Sequence, residues 1–238
     1  MKIAFISDIH GNAVALETVL QDVKGKSVDQ VVVLGDLCFR GPEPKRSLEL
    51  VQALNTKVIK GNADEWVVRG IGEGEVPSHV MDMMEKERLW CYERLNPEDI
   101  AYLQELPSDL TLNSGPIRVH AFHATPDSLF EVVTPAESEP VLKEKMMGKQ
   151  AEFYVYGHIH KAYVKYLAGK CLANTGSVGL PFDGVPRASY LLLEVNETSY
   201  HTSIVRVRYD MEQVIRQYKE HDYPNAEIMI NVLKNASI

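Results

Sequence analysis

The stretch Lys2-Ile-Ala-Phe-Ile-Ser-Asp-Ile-His-Gly-Asn12 decides how the rest of this chain is read. Its first half, residues 2–7, is almost wholly apolar and short, which suits a strand buried on both faces. Its second half places a carboxylate, Asp8, and an imidazole, His10, two residues apart, followed by Gly11. Asn12 is a good helix N-cap, and Val14, Leu16, Val19, Leu20 and Val23 then recur with helical spacing, which predicts a helix over about 13–23. A buried strand running into polar residues and then a helix is the repeating unit of a layered α/β sheet. In such sheets ligands bind beyond the carboxyl ends of the strands. The stretch is a metal-ligand turn or a polar loop without function, and by itself it does not separate the two.

The unit recurs. Val31 to Leu34 form a second buried strand ending in Gly35-Asp36, and Pro42 and Pro44 open a helix to about Leu54. Thr56 to Lys60 form a third strand ending in Gly61-Asn62. Residues 63–107 break the rhythm and read as an inserted helical cap rather than a separate domain, so 1–238 is expected to be one domain. Gly70-x-Gly-x-Gly74 follows no strand and reads as a flexible turn, not a dinucleotide fingerprint. Strand character returns at 117–123, at 153–156, in a hairpin around Gly169-Lys170, and at 189–195 and 201–208; helices at 210–219 and near 225–235 close the chain.

Composition excludes several classes. The 238 residues are 45% hydrophobic and 24% charged, as in ordinary globular proteins, and no apolar run approaches a membrane span. The N-terminus lacks the pattern of a signal peptide, and Cys38, Cys91 and Cys171 are few and scattered, which reads as reduced thiols of a cytoplasmic protein. A net charge of −8 argues against duplex nucleic acid and anionic membranes as partners but leaves room for a small phosphorylated substrate held through bound cations. The oligomeric state is open.

Five stretches share one feature: a buried strand ends in a residue able to ligate a metal. They are Asp8-x-His10, Gly35-Asp36, Gly61-Asn62, His123 and Gly157-His158-x-His160. A lone histidine is usually a satisfied core or surface residue, and an aspartate after a strand is usually a turn former. The set carries more weight, because all its members fall at one edge of the implied sheet. Carboxylate and amide oxygens with imidazole nitrogens suit two divalent ions such as manganese, iron, zinc, cobalt, nickel or magnesium better than calcium. Asp36 is the natural bridge, since its two oxygens allow it to touch both ions.

These motifs, with Arg40-Gly41 completing Gly35-Asp36-x-x-x-Arg40-Gly41 and Asp64 following Gly61-Asn62, resemble the calcineurin-like metallophosphoesterases. The later Asn174-x-Gly176-Ser177-Val178-Gly179 is similar to a turn in the small bacterial and archaeal phosphodiesterase-like branch. The resemblance implies a four-layer α-β-β-α sandwich of two mixed sheets. It implies that Asp8, His10 and His160 hold one ion, that Asn62, His123 and His158 hold the other, and that Asp36 is shared. A hydroxide between the ions would then attack phosphorus in line, manganese being the first choice of metal. Arg40 stands where related phosphatases carry a phosphate-binding arginine, and Arg187 is a second candidate substrate contact. The expected substrate is a phosphodiester or nucleotide. The alternatives are a phosphoprotein phosphatase or general phosphomonoesterase, a diadenosine polyphosphate hydrolase, or a non-catalytic scaffold.

One position departs from the family pattern. Many members carry a histidine after the asparagine of the third motif, where this chain has Ala63, which cannot move a proton. The enzyme is therefore expected to favour good leaving groups or to recruit another donor, for which His79 is the one nameable candidate. Asp64 reads as a helix N-cap, and His120, three residues before His123, is assigned no metal.

Overall fold

A computed structural model describes residues 1–237. The first half contains β1 (Lys2–Ile6), α1 (Ala13–Gly25), β2 (Gln30–Val33), α2 (Pro44–Ala53) and β3 (Lys57–Val58), then three helices in succession, α3 (Asn62–Arg69), α4 (Ser78–Tyr92) and α5 (Pro97–Glu105). The second half contains β4 (Asp109–Ser114), β5 (Ile117–Phe122), α6 (Glu139–Met146), β6 (Phe153–Tyr156), β7 (Tyr163–Leu167) and β8 (Lys170–Asn174). It ends with β9 (Ala188–Val195), β10 (Tyr200–Val207), α7 (Met211–Glu220) and α8 (Ala226–Asn235). Among the described residues no helix is long and apolar enough to cross a membrane.

The strands form two five-stranded mixed sheets, ordered β10-β9-β1-β2-β3 and β4-β5-β6-β8-β7. Each has parallel neighbours in its middle and antiparallel strands at one or both edges. Alternation along each strand assigns the layers. Ile3 and Phe5 of β1 and Leu191 and Leu193 of β9 meet Val119, Ala121, Phe153 and Val155 of the other sheet, forming the core between the sheets. Ala4 and Ile6 face the opposite way, toward Leu16 and Val19 of α1 and Leu48 and Val51 of α2. Phe122, Tyr154 and Tyr156 face Leu142 and Met146 of α6. The result is an α-β-β-α sandwich. Each fully buried Ile, Leu or Phe in these layers is worth about 1.5–3 kcal/mol relative to exposure.

Two elements escape the sequence reading. β4 alternates weakly and depends on pairing with β5, and α6 shows only two buried residues, Leu142 and Met146. β3 is shorter than expected. After Ile59 N–H bonds Val33 O, Lys60 N–H turns to Pro107 O at 2.7 Å, which takes the chain out of the ladder two residues before Asn62.

Candidate metal centre

The loops after β1 and β2 run side by side beyond the ladder. Asp8, His10 and Gly11 donate their N–H groups to Gly35 O, Asp36 O and Leu37 O at 3.1, 2.9 and 3.1 Å. This zipper sets Asp8, His10 and Asp36 in fixed register. Asp8, His10, Asp36, His158 and His160 all have positive φ, between 48° and 66°. Such backbone costs roughly 1–3 kcal/mol per residue and persists where surrounding contacts enforce it, commonly at functional sites. Glycine permits the close approach of the third loop: a Cβ on Gly61 would lie 2.1 Å from Asp36 Oδ1.

The seven predicted ligands come together as two sets. In the first, donor atoms of Asp8, His10, Asp36 and His160 all lie within 4.8 Å of one another, and all four residues are buried. His160 Nε2 is 3.1 Å from Asp8 Oδ1 and 3.1 Å from His10 Nε2. In the second, Asn62 Oδ1 is 2.9 Å from His123 Nε2 and 2.8 Å from His158 Nδ1. Asp36 Oδ2 joins the sets, lying 3.5 Å from His10 Nε2 and 3.5 Å from His123 Nε2. The expected bridge through two oxygens is corrected here. Asp36 Oδ1 accepts the Ala63 N–H at 2.8 Å, so one oxygen, Oδ2, faces both sets.

Tautomers make this geometry a demand for positive charge. His10 Nδ1, His160 Nδ1 and His123 Nδ1 each meet a backbone carbonyl, of Phe39, Leu180 and Leu34. A carbonyl only accepts, so each Nδ1 carries a proton, and in the neutral form of each ring the Nε2 lone pair faces inward. Two such lone pairs 3.1 Å apart repel, and a cation between them removes the conflict. Burial opposes ionisation of Asp8 and Asp36, yet His160 and His123 respectively hold both below the usual carboxylate range. Burial also disfavours charge on His123, but Asp36, with help from Asp8, overrides it and raises His123 to about 9. His10 and His158 go the other way, to about 4, through burial and a neighbouring histidine. The donor set therefore fits two divalent cations of borderline hardness.

Two supports were not legible as such. Asp64 is fully buried, and its carboxylate accepts the N–H groups of Asp36, Leu37 and Gly61 at 2.8, 2.9 and 2.9 Å. The expected N-cap role is corrected: Gly61 is the N-cap of α3, and Asp64, in its first turn, accepts the Gly61 N–H and ties the second loop to the third. Burial and the charge of Asp36 push its carboxyl up to about 7 against those bonds. The turn at 174–179 performs the matching task on the other side. Ser177 Oγ and Gly179 N donate to Asp8 O at 2.7 and 2.9 Å, and Leu180 O receives His160 Nδ1. The only sequence signal for either was the resemblance itself.

A cavity of about 150 Å³ opens over the donors, walled by Phe39 and by Trp66 and Met84 of α3 and α4. Arg40 lines it, but its Nε donates to buried Glu87 of α4 at 3.0 Å. Arg187 lines neither this cavity nor the larger one beside it. His79 is exposed on α4 and lines neither. His120 pairs with Asp109 at 2.7 Å on the far face of its sheet, and His221 Nδ1 meets Pro42 O at 2.9 Å. Trp90 packs on Tyr223 instead of the cavity, and Tyr92 is exposed. Cys38 is buried beside Cys91, which with burial pushes its thiol well up.

One family model and three known proteins resemble this chain. The model of the calcineurin-like phosphoesterase superfamily domain matches residues 1–198. The crystal structure of a metallophosphoesterase from Sphaerobacter thermophilus superposes with a TM-score of 0.79 at 25% identity, covering 99% of each chain. A protein of Methanocaldococcus jannaschii is 28% identical over 243 residues, covering 93% of each chain. The symmetrical bis(5′-nucleosyl)-tetraphosphatase of Erwinia tasmaniensis is 32% identical over 93 residues, 37% of this chain and 34% of its own.

Proposed function

The chain belongs to the calcineurin-like phosphoesterase superfamily, and from that premise we propose that it is a dinuclear-metal-dependent hydrolase of phosphodiesters or nucleotides. The observation that carries this reading is Asp36 Oδ2, set 3.5 Å from an inward imidazole nitrogen of each donor set. Asp8, His10 and His160 would hold one ion and Asn62, His123 and His158 the other. When bound, such a pair supplies Lewis acidity to phosphoryl oxygens and a water acidic enough to attack phosphorus near neutral pH.

The chain's own residues contribute orientation and charge. Arg40 lines the cavity with its Nε on Glu87 and its Nη2 on Met229 Sδ at 3.4 Å, so its contact with a phosphoryl oxygen requires the guanidinium to turn from Met229. Phe39, Trp66 and Met84 give the same space apolar walls. Ala63 offers no proton, and exposed His79 replaces none, so leaving groups that depart as stable anions are favoured. Rates plotted against leaving-group pKa should fall steeply, and the slope should be unchanged in His79→Ala.

The test is hydrolysis of bis-p-nitrophenyl phosphate and p-nitrophenyl phosphate with manganese, then with the other first-row ions. Faster cleavage of the diester is expected. A clear monoester preference shifts the reading to a monoesterase or phosphoprotein phosphatase, and no hydrolysis of either with any metal overturns it. A second reading, hydrolysis of dinucleoside polyphosphates, is favoured by the similarity of 93 residues to the tetraphosphatase, and adding diadenosine tetraphosphate to the assay decides it.

A further inference from the structure

The cavity over the donors is one lobe of a larger cleft. A second cavity, of about 420 Å³, shares His158 and Phe182 with it, so the two meet at those side chains. Its other walls are Val132, Thr134, Ile159, Lys161 and Ser237. Apolar walls with a few polar groups converging on them are the usual make-up of a small-molecule site, and the volume is of the usual size.

Three features describe what fits there. Phe182 lies nearly parallel to His160, with ring centroids 4.2 Å apart and planes at 13°, so one face is fixed against a metal ligand and the opposite face is the one a flat ring can meet. Val132 is 64% exposed, which leaves an apolar side chain at the mouth with little to cover it. Among the described residues Lys161 makes no ion pair or hydrogen bond, and it brings a positive charge to the rim of a molecule whose net charge is −8. A fourth observation lies at the junction of the lobes. His158 turns Nδ1 toward Asn62, while its Nε2 is buried without a partner. A buried polar atom in that state asks for a ligand atom.

We infer that the outer lobe is a subsite for the nucleoside part of a nucleotide substrate, its ring against Phe182, Ile159 and Val132 and its hydrogen-bond acceptors toward Lys161. The inference rests on the reading of the inner lobe as the phosphoester site and extends it to a substrate class. A bare phosphate fills only the inner lobe; a nucleotide fills both.

Calorimetry on the manganese-loaded protein tests this with adenosine 5′-monophosphate and inorganic phosphate as probes. The nucleotide should bind about tenfold more tightly or better, equivalent to about 1.4 kcal/mol. Thr134→Trp, which fills the outer lobe without changing charge, and Lys161→Ala should each remove most of that advantage. Phosphate affinity and manganese content should stay as in the wild type. Equal affinity for the two probes, or an advantage that survives both substitutions, overturns the subsite. Failure of the underlying reading looks different. Protein that binds the nucleotide as described but hydrolyses no phosphoester keeps the subsite and loses the activity; protein that cleaves the diester but does not distinguish the probes loses the subsite alone.

Discussion

The two donor sets sit against one shared oxygen, yet their electrostatics differ. The first joins two buried carboxylates to His10 and His160, and His10 stays neutral because burial and His160 lower it to about 4. The second replaces one carboxylate with the neutral amide of Asn62, and its His123 is raised to about 9. A cation entering the first set meets a neutral His10. A cation entering the second must displace the proton on His123. The lesson is that charge count and proton competition, more than ligand number, separate a tight site from a weak one.

Removing the shared oxygen should have the largest effect. Asp36→Ala takes away the one atom common to both sets and leaves the Ala63 N–H without its acceptor. Activity should fall on the order of 10²–10³ or more, the scale seen when one preorganised charge-stabilising group is lost, and metal analysis should show loss from both sets. Near wild-type turnover would remove the basis of the comparison.

Single-set substitutions come next. His160→Ala should leave about half the metal of the wild type, held by the second set, and His123→Ala about half, held by the first. Competition with a chelator should then show tighter retention in His123→Ala. The reverse order would contradict the contrast drawn from charge.

The pH dependence sharpens it. In the metal-free protein His123 is raised from 6.5 to about 9, so the stability it contributes is complete below about 6.5 and is lost as pH rises through 9. His10 and His158 are depressed to about 4, so their contribution is lost as pH falls from 6.5 toward 4. Between pH 6.5 and 9 the thermal midpoint of the metal-free protein should therefore fall. Manganese affinity of the second set should rise over the same interval as His123 gives up its proton, as read by calorimetry on His160→Ala.

Much of this was legible because it lies along the chain. β1, α1 and β6 follow from apolar runs, a cap and spacing, and the ligand-bearing residues announce themselves at strand ends. What escaped is defined by approach in space. The single-oxygen bridge exists because α3 begins where its Ala63 N–H meets Asp36, and no spacing in the sequence encodes that. Glu87 reads as one more charged residue on a helix until its contact with Arg40 is seen. Arg187 looked like a substrate contact by its place after a turn, but the fold leaves it outside both lobes. Asp64 looked like a cap and is instead the clamp between two ligand loops.

That clamp gives a smaller effect. Asp64→Asn keeps the size of the side chain but turns an amide N–H₂ toward a backbone N–H of Asp36, Leu37 or Gly61. Stability should drop by about 1–3 kcal/mol in denaturant titration, as for an unsatisfied buried donor. Metal affinity should fall about 10–100-fold, the range for groups that orient ligands. Glu87→Gln should act least: it keeps a hydrogen bond to Arg40 and removes the charge, so KM should move more than kcat.

The most direct measurement is anomalous diffraction from crystals of the wild-type protein grown with excess manganese. The account predicts two peaks about 3.5–4 Å apart, one on each side of Asp36 Oδ2, the first among Asp8, His10 and His160 and the second among Asn62, His123 and His158. A single peak confined to one set, or manganese bound only elsewhere on the surface, would contradict it.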